Sequence, residues 1–105
     1  GTDSYKAIIF LYLDGGCDSY NMIVPYSECR VNNVNKDMYQ EYSNERGKIA
    51  LSHDVLLPIK VAKTTQVCET FGIHPNLEYL KTLYDENNLL FLANTGVLTK
   101  PVTKE

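Results

Sequence analysis

The chain has 105 residues, 44% hydrophobic and 22% charged, with a formal net charge of −3: enough for one small domain, and too ordinary in composition for a disordered tail or a fibrous repeat. Its basic residues are scattered, so nucleic acid is not an expected partner. The longest apolar run, Ala7 to Leu13, falls far short of a bilayer span, and no transmembrane segment is expected in this chain.

From the amino terminus, Lys6 to Leu13 is rich in Ile, Phe, Tyr and Leu without polar alternation, the pattern of a central strand buried on both faces. Asp14-Gly15-Gly16 ends it, because glycine reaches turn conformations that a Cβ makes costly. Met22 to Val24 is a shorter apolar piece, a brief strand or a helical turn, and residues 27 to 36 read as a polar, Asn-rich loop. Met38, Tyr39, Tyr42 and Arg46 then recur at helical spacing before Gly47, which predicts a short helix. Lys48 to Leu51 and Val55 to Ile59 read as short strands, the second demoted to an edge or loop by Pro58. Residues 60 to 70 are polar and take no assignment.

The clearest helix starts at Pro75, since proline is favoured where the N–H has no intrahelical partner. Leu77, Leu80, Leu83 and Tyr84 share its apolar face, and Asn87-Asn88 closes it. Leu89 to Ala93 repeats the buried-strand pattern, followed by the turn Asn94-Thr95-Gly96. Together these elements predict an α/β fold, a layered and mostly parallel sheet with flanking helices, because parallel neighbours need long connections. Ligands of such sheets collect beyond the carboxyl ends of the strands, which would bring Asp14, Asp18, Asn21 and Asn94 together.

Cys17, Cys29 and Cys68 are odd in number and form no CxxC pair, so neither a structural zinc site nor thioredoxin-like chemistry is indicated. One disulfide with one free thiol and three buried thiols both remain open. No Asn-x-Ser/Thr sequon is present, and Gly1 in place of an initiating methionine leaves room for a removed signal.

The ordered set FLYLDGGCDSYNMIVPY, YQEYSNERGKIAL, LLPI, FGIHPNLEYLKTLYDENNLLFLANTGVL and KPVTKE resembles the amino-terminal part of the family known as domain of unknown function 1501. The resemblance covers nearly the whole chain and rests on the order and spacing of these pieces. It implies the amino-terminal segment of a larger alkaline-phosphatase-like and sulfatase-like α/β domain, in an exported protein several times longer. It also implies metal-assisted hydrolysis of a phosphate or sulfate ester, with much of the site supplied beyond Glu105.

In that superfamily a carboxylate just after the first strand holds a divalent metal, which polarises the nucleophile and stabilises developing charge. Asp14 and Asp18 occupy the matching positions and are the candidate metal ligands, with the metal's identity unspecified. Asn21, His74 and Asn94 are further candidate site residues. The competing reading gives Asp14 and Asp18 a turn-shaping role through backbone N–H groups, and gives His74 a capping role at the helix entrance. Ser19 has no visible base beside it, and no cysteine lies in the C-x-P-x-R pattern of sulfatases, so the nucleophile is unassigned. His53, beside Asp54 in a polar turn, is expected to be exposed.

Two functions follow. One is a segment of an exported hydrolase-like protein. The other is a non-catalytic structural or binding component of a larger assembly, since fold does not fix function. In either case the partners are the remainder of the same polypeptide or other protein subunits.

Overall fold

The computed structural model describes residues 4–61 and 65–95, with Lys100 and Thr103. Its centre is a four-stranded sheet made of β1 (Ile23–Val31), β2 (Val34–Asn35), β3 (Leu57–Lys60) and β4 (Cys68–Ile73), in the spatial order β2-β1-β4-β3. Every neighbouring pair is antiparallel. Two short helices accompany it: α1 (Met38–Arg46), packed on β1, and α2 (Glu78–Asp85), packed on β3 and β4.

This architecture corrects the expected layered, mostly parallel sheet. The expected central strand, Lys6 to Leu13, and the second buried strand, Leu89 to Ala93, are not strands: both runs pair with nothing in the sheet. Ile8 is 99% exposed, Ile9 91% and Phe10 85%, and Leu90 and Leu92 also face solvent. An apolar run becomes a strand only when a neighbouring strand supplies hydrogen bonds, and here the neighbours pair among themselves. Gly96, at the end of the second predicted turn, lies outside the described residues.

β1 grows out of a segment that reads mostly as loop. Its buried positions switch from even to odd numbers, Val24 to Cys29, because the register with β4 shifts between Pro25 and Ser27. Such a bulge inserts a residue and breaks the two-residue period that marks a strand. The Asn-rich stretch supplies the hairpin to β2: Asn32 and Asn33 both have positive φ, 51° and 64°, the pair of angles that a two-residue type I′ turn requires. Lys48, predicted in a strand, lies instead in a 3-10 turn, Gly47–Ile49.

The helices follow their sequence signals closely. Asp37 caps α1, its Oδ1 accepting from Gln40 N at 2.9 Å, and Gly47 stops it at φ 57°. Asp37→Ala should lower the unfolding free energy by about 1 kcal/mol in urea denaturation, the usual cost of a lost side-chain cap. Pro75 opens a 3-10 turn, Pro75–Leu77, that leads into α2. Pro58 sits in β3, the edge strand, where its missing N–H costs no ladder bond.

The core is small. Val24, Tyr42 and Leu56 form its centre, flanked by Tyr26, Tyr39, Ala50 and Leu51, while Ile59 and Ile73 are buried in β3 and β4. Gly72 is there for want of space: a Cβ would meet Leu56 Cβ at 2.8 Å. A disulfide joins Cys29 to Cys68, directly opposite residues of β1 and β4, and Cys17 is a free, exposed thiol.

Candidate functional site

The loop after the first apolar run begins with a turn in which Gly16 N donates to Leu13 O at 3.1 Å. Gly15 and Gly16 take φ of 86° and 102°, in the left-handed region where a Cβ is strained. Asp14 stands on this turn, exposed and without a side-chain hydrogen bond or ion pair among the described residues. Asp18 follows, where Asn21 N donates to its backbone O at 3.2 Å to close a 3-10 turn, Ser19–Asn21.

The side chain of Asp18 is already engaged. Its Oδ2 accepts from the Arg46 guanidinium at the end of α1, and the same guanidinium lies 5.7 Å from the centroid of the Tyr20 ring. Asn21 is engaged twice. Its Nδ2 donates to Ile49 O at 2.8 Å, and its Oδ1 accepts from the Tyr42 hydroxyl at 2.6 Å. That hydroxyl also accepts from Leu51 N at 2.9 Å, while the Tyr39 hydroxyl donates to Leu51 O at 2.8 Å. The loop from Gly47 to Leu51 is therefore tied to the entrance of β1 by three side chains from two elements, the 3-10 turn Ser19–Asn21 and α1.

His74 is brought close by the sheet, since its backbone N donates to Met22 O at 3.0 Å and so continues the β1–β4 ladder. Its Nδ1 accepts from Asn76 N at 3.0 Å, which caps the turn that follows. Asp18, Asn21 and His74 thus share one end of the sheet, yet each has a structural partner. Asn94, exposed and at φ 56°, makes no side-chain hydrogen bond to any of them among the described residues. Among those residues no three His, Cys, Asp or Glu side chains gather in a group that would hold a metal ion. Asp14 and Asp18 alone do not complete a metal site, and Arg46 competes for Asp18.

Two polar features escaped the sequence reading. His53 is half-buried rather than exposed: its ring stacks on Tyr26 with centroids 3.9 Å apart, meets Tyr39 edge-on at 4.8 Å, and places Nε2 3.1 Å from Tyr26 O. The partners lie 27 and 14 residues away, so no local pattern announces them.

The second is Glu28, at φ 55° in β1 and facing Glu69 of β4. A hydrogen bond shared with Glu69, and then that carboxylate's charge, push the Glu28 carboxyl above its ordinary value, with Lys60 and Arg30 opposing. The folded chain therefore keeps a proton at pH values where the unfolded chain has lost it. Stability from this pair is fully present below the unfolded carboxylate pKa and is lost as pH rises through the raised folded one. Denaturation across that window should show stability falling with rising pH, and Glu28→Gln should flatten that part of the profile.

In comparisons with protein-family models, curated proteins and solved structures, nothing matches the chain. The structure itself defines a small disulfide-linked antiparallel α/β module that carries an exposed apolar arm. No described helix is long and apolar enough to cross a membrane.

Proposed function

We propose that this chain is a non-catalytic binding component of a larger assembly, and that Ala7 to Leu13 is the segment through which it joins a protein surface. The observation that carries this reading is the exposure of seven consecutive apolar residues beside a packed module. Contiguous exposed apolar surface of this kind marks interaction sites in soluble proteins. The run is extended enough for Phe10 and Tyr12, two residues apart, to stack their rings on one side, centroids 6.2 Å apart. An extended apolar segment with free backbone groups suits recognition by strand addition. The polar candidates Asp18, Asn21 and His74 serve the architecture, which favours binding over catalysis for these residues. The Cys29–Cys68 disulfide supports an exported setting, because such bonds persist in oxidising compartments.

The test is binding of a hydrophobic dye to dilute chain, compared with Ile8→Lys and Phe10→Lys variants. Strong dye fluorescence that falls in both variants, with the melting temperature unchanged, is expected. Absence of dye binding by a well-folded wild type overturns the reading.

A second reading, metal-assisted hydrolysis of a phosphate or sulfate ester with ligands and nucleophile supplied outside these residues, is favoured by Asp14. Its carboxylate is exposed on a two-glycine turn and has no partner among the described residues. Elemental mass spectrometry of the full-length protein tests it: stoichiometric divalent metal that Asp14→Asn removes would support it, and no metal after resupply would overturn it.

A further inference from the structure

Resting on the binding reading above, we infer that the partner of the Ala7 to Leu13 arm is a second copy of this chain, paired antiparallel about a two-fold axis at Phe10. The arm is flanked by one charge of each sign, Lys6 before it and Asp14 after it, and neither forms an ion pair within the chain among the described residues. Antiparallel pairing centred on Phe10 sets Lys6 of each copy opposite Asp14 of the other. Both ends of the ribbon then close with opposite charges. Parallel in-register pairing would set Lys6 against Lys6 and Asp14 against Asp14, and an antiparallel slip of two residues would set Lys6 against Gly16 in one direction and Tyr12 in the other.

The faces agree with this register. Side chains alternate along an extended segment, so Lys6, Ile8, Phe10 and Tyr12 share one side, as the stacked Phe10 and Tyr12 rings indicate, and Asp14 follows on the turn at its end. Across the axis, Phe10 meets Phe10 and Ile8 meets Tyr12, the aromatic and aromatic–β-branched pairs that stabilise antiparallel strands. On the other side Ile9 meets Leu11 and Ala7 meets Leu13. The contact is isologous, using the same patch on each copy. The run contains no charge, proline or glycine, so nothing within it blocks strand pairing.

Sedimentation of the 105-residue chain over a range of concentrations tests the pairing, in a Cys17→Ser background that prevents crosslinking through the free thiol. An isolated two-stranded ribbon is marginal in water, so a weak, concentration-dependent dimer is expected. Asp14→Lys should weaken it by about tenfold or more, because like charges then oppose each other at both ends. Lys6→Asp combined with Asp14→Lys should restore it. In the same background, Phe10→Cys should crosslink on oxidation and Ile9→Cys should not. Both charged residues are exposed, so their variants should melt as the wild type does.

A wild type that stays monomeric at every concentration while binding hydrophobic dye overturns the second copy as partner and leaves the binding reading in place. A monomer that binds no dye overturns both. A dimer indifferent to the charge reversals is held by another surface, and that result overturns the register.

Discussion

Replacing Cys29 and Cys68 with alanine is expected to lower the unfolding free energy by about 3–4 kcal/mol, the loop-closure entropy that a crosslink of this span removes from the unfolded chain. The two cysteines are 39 residues apart, and β2, α1 and β3 lie between them. They also join the two central strands at opposite positions, so the bond fixes the register of the longest pairing in the sheet. Domains of this size are typically stable by about 5–15 kcal/mol, which makes the loss a large fraction of the total. Urea denaturation should show the lower midpoint, and a reductant should lower the midpoint of the wild type to that of the double variant. Equal midpoints with and without reductant would mean that the sheet holds its register without the crosslink.

The second large effect is expected at Tyr42. Its ring belongs to the core, and its hydroxyl donates to Asn21 Oδ1 and accepts from Leu51 N. Tyr42→Phe keeps the ring and leaves two polar atoms without that partner, at a cost of about 1–3 kcal/mol. Tyr42→Ala adds a cavity and should cost about 3–5 kcal/mol. Asn21→Ala removes the other side of the same hydrogen bond, so its combination with Tyr42→Phe should cost less than the sum of the two single changes. Additive losses in that double-mutant cycle would contradict the coupling. Thermal unfolding of the four proteins measures it.

The helices were the legible part of the fold. Gly47 and Pro75 act through their own backbone preferences, and the signal lies within a few residues of the structure it dictates. Pro58 likewise placed β3 at an edge. The sheet was not legible because its pairing is non-local: β4 carries Glu69 and Thr70, and β1 loses its alternation at the bulge. An apolar run reads as a buried strand, yet its pattern says nothing of whether a neighbour exists to receive its hydrogen bonds. The two most apolar runs, 7 to 13 and 89 to 93, therefore misled most.

The candidate site shows the same limit. Asp18 and Asn21 look available in sequence, and their partners Arg46 and Tyr42 stand 28 and 21 residues further on. His74 was legible as a helix-entrance residue, since Pro75 follows it. The disulfide was one of two open assignments, and only the opposition of β1 and β4 selected Cys29 with Cys68.

The proposed role turns on Ala7 to Leu13 lying outside the folded module, free to bind. Residue-resolved hydrogen exchange on dilute chain tests it most directly, because amides in a ladder exchange only when it opens. Amides 8 to 13 should exchange at nearly the unprotected rate while those paired in Cys68–Ile73 are strongly protected. Protection of amides 8 to 13 equal to that of β4 would instead place the run inside the sheet, where it is not free to bind.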